Sequence, residues 1–344
     1  MKKYMFGLGG DYDASAKKLA DMGYDSVVLS GNDMAAFEAA NNAGLETWLC
    51  YGAHSIGDFS AADYGAKDVN GAPAPWFGSA CPNAAEVNAF NIDRAFETAK
   101  AAGVKGIFVD GARFASFASA EGSSSFFSCF CDTCRARMRK FGINDEAVAV
   151  GIAEVVKFLK GGDGKDKVPL MHAAIDAWLD FRGRCVKEYM NNFAVRAHAE
   201  GFDAGAFVFA PSLWWFVGQR PDALSSLDVV APMLYRAYPH AEGPACLNHE
   251  WAALKQLLSG HERSPAELAS MLFDTAIISD DPISGFPPEH VGVETAAARA
   301  MIPNRVKVMP IVQTEDAELE KTVQCVMNAG ADGCGEFCFA QKVF

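Results

Sequence analysis

The 344-residue sequence is poor in positive charge and in long apolar segments. Its 30 lysine and arginine residues are outnumbered by 43 aspartate and glutamate residues, so the formal net charge is -13. Because nucleic-acid binding needs a basic face, this deficit argues against a nucleic-acid partner. No apolar run approaches the roughly 20 residues that a membrane-spanning helix needs, so we expect no membrane partner either.

The N-terminus lacks the long apolar segment and the cleavage site of a secretory signal peptide. We therefore expect a cytoplasmic protein in which most of the ten cysteines are reduced. An exported protein whose signal peptide has been removed, with its cysteines in disulfides, remains the alternative.

Several common catalytic motifs are also missing. No strand is followed by a glycine-rich phosphate-binding loop, and the sequence has no His-Glu-x-x-His metal motif. It has no Gly-x-Ser-x-Gly nucleophile elbow. We therefore expect no organic cofactor and no catalytic zinc. The isolated pairs His249-Glu250 and Glu289-His290 are expected to be surface features.

Glycine marks the start of many strands. Five times a helical segment ends in glycine, two residues follow and an apolar strand begins, at Gly23, Gly44, Gly103, Gly201 and Gly330. Glycine past a helix end adopts the left-handed conformation at little cost, and short loops of this kind are typical of parallel α/β folds. With three strands that lack this signal, the predicted strands cover residues 3–8, 26–30, 46–51, 106–110, 204–210, 228–235, 306–312 and 333–339.

Eight strands alternating with helices predict an α/β fold of the (β/α)8 type, a TIM barrel, rather than an open doubly wound sheet. We expect a single domain over residues 1–344. Two long excursions interrupt the alternation, at about 115–170 after the fourth strand and about 236–300 after the sixth. Insertions after barrel strands belong more often to the catalytic face than to the opposite one.

The fourth strand ends abruptly in Asp110, followed by Gly111 and Arg113. In a β/α barrel this end of a strand opens onto the active site, so Asp110 is the first catalytic candidate. Alternatively, Asp110 and Arg113 pair with each other or cap the next helix. In the functional interpretation, Arg113 orients Asp110 and lowers its pKa, which suits a nucleophile or base better than an acid.

Glycoside hydrolysis usually needs two carboxyl groups, one as acid and one as base or nucleophile. Glu336, inside the eighth strand, is the first candidate for the partner of Asp110, because an unpaired carboxylate would be costly there. It could equally be the structural partner of a buried cation. Glu315, just past the seventh strand, is second. Asp11 is third, and its more ordinary role is that of a helix cap.

Aromatic and polar side chains gather near the predicted strand ends. Aromatic faces can cover the apolar face of a sugar ring while polar neighbours bind its hydroxyl groups. Any single aromatic residue here could instead pack against an excursion. The candidates for substrate binding are Arg113, Tyr235, Gln313, Trp214, Trp215 and His54, with Trp76, Phe77, Phe216 and Tyr238 nearby.

A C-x-C-x-x-C motif, formed by Cys129, Cys131 and Cys134, lies in the first excursion, and Cys81 lies upstream. Thiolates this close can converge on one tetrahedral zinc ion, and four ligands make such a site structural. Ordinary thiols or disulfides remain the alternatives. The other cysteines are expected to be core thiols. They are Cys50, Cys185, Cys246, Cys325, Cys334 and Cys338.

The cysteine pattern, with the aromatic pair Phe126-Phe127 before it, resembles the zinc cluster of the family 42 glycoside hydrolases over about residues 81–142. The resemblance implies a (β/α)8 barrel with a structural zinc. Those enzymes are retaining β-galactosidases with an Asn-Glu pair after the fourth strand, where this sequence has Asp110-Gly111. Glu315 is the nearest match to their nucleophile, slightly past the seventh strand. The β-galactosidase activity therefore does not carry over.

Two further segments are similar to uncharacterised barrel proteins described as glycoside-hydrolase-like. One is Gly111-Ala112-Arg113-Phe114, and the other is Gly218-Gln219 followed by residues 228–235. Together, the residues and the resemblance predict a glycoside hydrolase acting on a small oligosaccharide or glycoside. A carbohydrate-binding barrel without catalysis, and a metal-assisted lyase or isomerase that uses Asp110, remain open. The sugar, the linkage and the oligomeric state remain open too.

Overall fold

The computed structural model describes residues 2–119, 125–238 and 246–337. Nine parallel strands form one sheet. They are β1 (Lys3–Phe6), β2 (Ser26–Ser30), β3 (Glu46–Gly52), β4 (Gly106–Asp110), β5 (Asp203–Val208), β6 (Val229–Pro232), β7 (Lys307–Val308), β8 (Ile311–Gln313) and β9 (Cys334–Phe337). The predicted end of the last strand, with Cys338, lies outside the described residues.

Helices surround the sheet. They are α1 (Tyr12–Asp21), α2 (Met34–Asn42), α3 (Ala61–Tyr64), α4 (Ala85–Ala102), α5 (Asp132–Lys140), α6 (Asp145–Leu159), α7 (Val168–Ala199), α8 (Trp214–Val217), α9 (Pro221–Leu224), α10 (Leu247–Leu257), α11 (Pro265–Phe273), α12 (Pro288–Met301) and α13 (Leu319–Asn328). None of the helices in the described ranges has both the length and the apolar character that a membrane crossing requires.

The predicted barrel is confirmed. The five glycines that were expected to end helices all have positive φ, between 63° and 88°. The strand order is β7-β6-β5-β4-β3-β2-β1-β9-β8. A parallel bridge between Met233, just past β6, and Ile311 in β8 joins the two ends of this order. Since β7 and β8 are two parts of one broken strand, the sheet closes on itself.

The seventh predicted strand is divided at Pro310. Proline has no backbone N–H and cannot donate to a sheet ladder. On either side of it the pairing continues, because the Met309 N–H donates to the Val230 carbonyl at 2.9 Å and the Leu234 N–H donates to the Ile311 carbonyl at 2.9 Å. One predicted strand therefore becomes two short strands in the same position of the barrel.

Aromatic rings fill the barrel interior. Phe108 of β4 stacks on Phe207 of β5 with ring centroids 4.6 Å apart, and Trp48 of β3 lies 5.2 Å from Phe108. Glycines on neighbouring strands make room for these rings. A Cβ atom on Gly106 would lie 2.4 Å from the Trp48 ring, and one on Gly205 would lie 2.8 Å from Phe108. The interior is a packed core rather than a pore.

Both predicted excursions are largely helical. The first runs through α5 and α6 into the long helix α7, and residues 120–124 lie outside the described ranges. The second contains α10, α11 and α12, and residues 239–245 lie outside the described ranges. Each excursion follows the carboxyl end of a barrel strand, so each lies on the side where a barrel carries its functional groups.

Candidate functional site

A cavity of about 210 Å³ lies at the carboxyl ends of β3 and β4. Side chains from the loops after these strands form most of its wall, together with residues that follow β5 and β6. Asp110, Arg113 and His54, which were predicted from the sequence to be functional, line it. The lining residues are Gly52, Ala53, His54, Ser55, Trp76, Phe77, Ser79, Asp110, Gly111, Arg113, Phe209 and Met233.

Asp110 is the carboxylate in this wall, at the last position of β4. One of its oxygens accepts a hydrogen bond from the Gly111 N–H at 2.7 Å. Burial raises the pKa of Asp110, and the positive charge of Arg113 and the Gly111 N–H lower it without cancelling the effect of burial. The net direction is opposite to the one expected from Arg113 alone. A carboxyl group that keeps its proton to higher pH is suited to act as an acid.

Arg113 does not direct its hydrogen bonds to Asp110. Its Nη1 donates to the Phe114 carbonyl at 2.9 Å and to the Ser119 hydroxyl at 3.2 Å. Burial lowers the pKa of Arg113 to about 10, and the negative charges of Glu250 and Asp110 act in the opposite direction. Arg113 is therefore held by other groups. The Asp110 carboxyl lines the cavity and forms no direct ion pair with Arg113 within the described chain.

Of the two carboxylates that raise the pKa of Arg113, Glu250 has the larger effect. It is only 1% exposed, and it accepts hydrogen bonds from the Ser116 hydroxyl at 2.6 Å and from the Ala118 N–H at 3.0 Å. Ser116 in turn contacts Ser119 at 2.6 Å. The expectation that Glu250 is a surface residue is therefore wrong. Its burial follows from the loop after β4, which supplies polar partners for its carboxylate.

His54 is also buried in the cavity wall, and burial lowers its pKa to about 4. Its ring is therefore neutral at neutral pH. Its Nδ1 lies 2.8 Å from the Asn88 Oδ1, and the Asn88 Nδ2 donates to the Pro82 carbonyl at 2.8 Å. Because this second bond fixes the amide orientation, Nδ1 carries the proton and donates it to Asn88. The remaining ring nitrogen, Nε2, is a hydrogen-bond acceptor.

Aromatic rings form the other walls. The Arg113 guanidinium lies 4.5 Å from the Phe209 ring centroid, 4.8 Å from that of Trp76 and 5.7 Å from that of Phe77. Trp76 and Phe209 are buried, whereas the Phe77 side chain is 43% exposed. The cavity therefore combines a carboxyl group, a cation and apolar ring faces, which suits a ligand that has both polar groups and an apolar face.

Phe77 occupies an unusual backbone position. It has φ of 41° and the next residue, Gly78, has φ of 61°. The Ser79 N–H donates to the Trp76 carbonyl at 2.8 Å, which closes a turn with two positive-φ residues at its centre. Such a turn prefers Asn or Gly at the first central position, and a bulky residue there costs about 1–2 kcal/mol. This cost falls on a side chain that projects toward the cavity entrance.

Glu336 does not line the cavity. Successive strand residues point to opposite faces of the sheet. Phe337 faces the barrel interior, because its ring lies 5.5 Å from Phe6, whose own ring lies 5.5 Å from Phe207. Glu336 therefore faces the outer side, where its carboxylate lies 3.9 Å from the Lys3 Nζ. The structure does not bring Glu336 together with Asp110.

Gln313 is the last residue of β8, Glu315 follows it, and Tyr235 follows β6, so all three lie at the same end of the barrel as Asp110. Burial raises the pKa of Tyr235 well above its ordinary value, and the charge of Asp110 acts in the same direction. Burial likewise raises the pKa of Tyr238, with a contribution from the charge of Glu315. The two tyrosine rings are 6.2 Å apart.

Gln313 is 2% exposed and donates from Nε2 to the Ala237 carbonyl at 3.2 Å. Its Oε1 has no hydrogen-bond partner within the described chain.

The two tryptophans after β5 lie outside the cavity wall. Trp214 is buried and donates to the Phe209 carbonyl at 2.7 Å, and the exposed Trp215 stacks with Arg220. Neither tryptophan lines the cavity, and Trp214 supports it only through Phe209.

The four predicted metal-ligating cysteines come together. The Sγ atoms of Cys81, Cys129, Cys131 and Cys134 all lie within 4.8 Å of one another. Cys81 lies 3.3 Å from Cys134 and 3.6 Å from Cys131, close to the separation of about 3.8 Å that thiolates have around a tetrahedral zinc. These four cysteines could hold a metal ion.

Backbone and side-chain N–H groups also point at the sulfur atoms. Asn83 donates from its backbone to Cys81 at 3.4 Å and from its side chain to Cys134 at 3.2 Å, and the Lys67 N–H donates to Cys129 at 3.4 Å. Donors of this kind stabilise thiolates and orient metal ligands. The donor set therefore fits a metal bound by four thiolates.

A larger cavity, of about 660 Å³, lies between α6 and α10. Its wall is mainly apolar, with Phe126, Phe127, Val156 and Leu257 among the lining residues, and it contains no carboxylate of the described chain. The smaller cavity is the better candidate for chemistry because it contains a buried carboxyl group.

Neither a protein-family model nor a curated protein matches the sequence. Among solved structures, the chain is similar to the glycoside hydrolase domain of PgaB (BpsB) from Bordetella bronchiseptica. The TM-score is 0.57 at 14% identity, over 97% of this chain and 93% of that chain. At this identity the likeness shows the fold alone.

Two other matches have lower TM-scores. One is Aspergillus fumigatus Ega3 in complex with galactosamine, with a TM-score of 0.45 at 12% identity, over 99% of this chain and 92% of that chain. The other is D-psicose 3-epimerase with D-tagatose from Clostridium cellulolyticum H10, with a TM-score of 0.42 at 9% identity, over 98% of this chain and 84% of that chain. The resemblance to family 42 stays a prediction.

Proposed function

We propose that the protein is a glycoside hydrolase that acts on a small oligosaccharide or glycoside. The observation that carries this proposal is a protonatable carboxyl group, Asp110, in a small cavity with aromatic walls at the carboxyl ends of the barrel strands. The glycoside hydrolase activity named for the PgaB domain supports it, since that domain has a similar fold.

In this proposal Asp110 protonates the leaving-group oxygen, because its pKa is raised. Glu315 is the second carboxyl group, because it follows β8 at the same end of the barrel as Asp110. Arg113 and the neutral His54 bind sugar hydroxyl groups. The volume of about 210 Å³ is below the range of about 300–1,000 Å³ that is typical for drug-sized ligands, so the cavity takes one sugar unit.

The test is hydrolysis of a panel of p-nitrophenyl glycosides by the wild type and by Asp110→Asn. We expect a loss of at least about 100-fold in kcat for the substrate that is cleaved, as is usual for removal of a general acid. Glu336→Gln is the matched control, because this carboxylate faces the outside of the barrel, and it should retain wild-type activity. Full activity of Asp110→Asn would overturn the assignment.

The pH dependence gives a second readout of the same role. Because the pKa of Asp110 is raised, the protonated acid persists to higher pH than for an ordinary aspartate. Activity should fall as the pH rises through that raised pKa. In the Asp110→Asn variant, any residual activity should lose this alkaline limb.

A carbohydrate-binding barrel without catalysis is the second candidate. The observation that favours it is that, within the described chain, Asp110 is the only carboxylate in the cavity lining. Saturable binding of a monosaccharide by calorimetry, with no hydrolysis of any glycoside in the panel, would favour this function over the first.

We further propose that the four-cysteine cluster holds a structural zinc. Four thiolates occupy every position of a tetrahedral zinc, so the metal would pin the first excursion to the loop before α4 and leave no position for substrate.

We also propose that the protein acts in the cytoplasm on a small carbohydrate. The net charge of -13 disfavours nucleic acid, and within the described chain no disulfide joins two cysteines.

A further inference from the structure

Arg182 is a fully buried cation in the middle of α7. Its exposed fraction is 0%, and its guanidinium lies 3.7 Å from the centroid of the Trp178 ring. Nη1 donates to the carbonyls of Ala115 at 3.1 Å and Phe216 at 2.5 Å. Nη2 donates to the Ser128 carbonyl at 2.6 Å and also to the Phe126 carbonyl. Both carbonyls lie in residues 126–134, the cysteine segment, which carries three of the four cysteines. Its terminal N–H groups thus bind neutral carbonyls.

Carbonyl dipoles satisfy these donors but do not cancel the charge. An isolated buried charge is costly, and it is normally paired with an opposite charge. Other arginines near the cluster have such partners: Arg135 and Arg139 contact Asp145 at 3.5 Å and 2.7 Å, and Arg137 pairs with Glu188. Within the described chain, no carboxylate forms an ion pair with Arg182.

The cysteine cluster, once it binds a metal, is the negative group that the chain places near Arg182. The Ser128 carbonyl that Arg182 binds precedes Cys129 in the chain. Burial lowers the pKa of Arg182 well below its ordinary value. Negative charge on Cys129 and Cys134 acts in the opposite direction and raises it. A divalent ion with four thiolates has a formal charge of -2, from two positive and four negative charges.

We propose that Arg182 is the counter-charge of the metal–thiolate cluster and that it couples metal binding to the loop that carries Arg113. The inference rests on the proposed metal and is independent of the proposed hydrolase activity. Arg182 reduces the formal charge of the buried group from -2 to -1, and the cluster in turn neutralises a cation that has no carboxylate partner.

The carbonyls bound by Arg182 belong to three segments: the loop after β4, the cysteine segment and α8 after β5. Ala115 lies two residues from Arg113 in the cavity wall, and Phe114 donates to the Val217 carbonyl at 3.0 Å, which ties the same loop to α8. When the metal leaves, the segment around Cys129 is no longer fixed, so the Phe126 and Ser128 carbonyls that Arg182 binds can shift and its hold on all three segments weakens.

The test compares Arg182→Lys, which keeps the charge, with Arg182→Gln, which removes it while keeping a polar side chain. Zinc content is measured per chain, and the rate of zinc release is measured with 4-(2-pyridylazo)resorcinol. We expect Arg182→Gln to release zinc at least about tenfold faster than the wild type, the usual effect of losing an outer partner of a metal site. Arg182→Lys should remain closer to the wild type.

Arg184→Gln is the control. Arg184 lies on the same helix, is 46% exposed and pairs with Asp180 at 2.8 Å, so its loss should leave zinc release unchanged. Equal release rates for Arg182→Lys and Arg182→Gln would overturn the proposal, because the charge would then be irrelevant. Wild-type protein purified without bound metal would overturn it as well.

Should neither variant fold, hydrogen exchange on the wild type tests the coupling. Removal of zinc by a chelator should speed amide exchange in the cysteine segment and also in residues 114–117 and 214–217. Amides of α12 should be unaffected. If exchange changes only around the cysteines, Arg182 does not transmit the state of the cluster and the proposal fails.

Discussion

The two excursions from the barrel are held in place by different chemistry. The first is tied down by four cysteines and by Arg182, whose partners are carbonyls. The second is tied by an ordinary buried ion pair, in which Arg236 binds Asp316 through Nε at 2.7 Å and also through Nη2. Arg236 also donates to the Phe286 carbonyl at 2.6 Å, which fastens the segment before α12.

This difference predicts different vulnerabilities. The first excursion should depend on metal and on reduced thiols, and the second on a carboxylate that stays ionised. The first excursion also contacts the cavity wall, since its Ser119 accepts a hydrogen bond from Arg113 and its Ser116 donates one to Glu250. Loss of structure in the first excursion should therefore disturb the candidate site more than loss of structure in the second excursion.

The largest expected effect is loss of the cysteine cluster. Cys134→Ser should lower the free energy of unfolding by on the order of 5 kcal/mol, because structural zinc contributes directly to folding. Limited proteolysis should cut the first excursion and spare the second. Cys325→Ser, at a partly exposed cysteine of α13, is the control and should change stability by less than about 0.5 kcal/mol. Equal stability of the two variants would argue against a metal.

The next effect concerns the second excursion. Asp316→Asn should cost about 3 kcal/mol, because it leaves the Arg236 charge buried without its partner. Glu318→Gln is the control, because Glu318 contacts the same arginine at 3.2 Å but is about half exposed, and it should cost less than about 1 kcal/mol. Denaturant unfolding of both variants measures the difference, and equal costs would contradict it.

The same ion pair has a predictable pH dependence. Burial acts to raise the pKa of Asp316, but hydrogen bonds from Arg236, Glu318 and Thr322 lower it below its ordinary value. A depressed pKa adds stability above the unfolded-state value of about 4, and this stability is lost as the pH falls further. The difference between the wild type and Asp316→Asn should therefore shrink below about pH 4.

The smallest expected effect on stability is that of Phe77→Asn. Asparagine tolerates positive φ, so the relief of backbone strain should offset the lost aromatic contacts to within about 1 kcal/mol. Affinity for a bound monosaccharide should fall about fivefold, which corresponds to about 1 kcal/mol. Phe90→Asn, at a 45% exposed phenylalanine on α4, should leave that affinity unchanged. An unchanged affinity in Phe77→Asn would remove Phe77 from the site.

The barrel could be predicted because its signals are local. Glycine at a helix end and an apolar run two residues later depend on neighbouring residues only, and the five glycines have the expected conformation. The cysteines were also predictable, since three of them lie within six positions. Asp110 was found by its place at the end of an apolar strand, and the cavity forms around it.

Glu336 and Glu250 show where such signals fail. The side of the sheet that Glu336 faces is decided by its register beside β1, and a shift of one residue would reverse it. The sequence around Glu336 has no alternating pattern to fix that register. Glu250 is buried because its hydrogen-bond partners lie 132 and 134 positions away in the chain, and no local pattern reports on such a distant contact.

The break at Pro310 has a consequence for how the ring of strands can come apart. A closed sheet has no edge, so removing one strand means breaking the ladders on both of its sides at once. At Pro310 one backbone hydrogen bond of the ladder is already missing, and beyond it a single bridge pairs Met233 with Ile311. The seam of the barrel therefore lies there, inside one strand, and we expect a pulling force to open the ring first at this point.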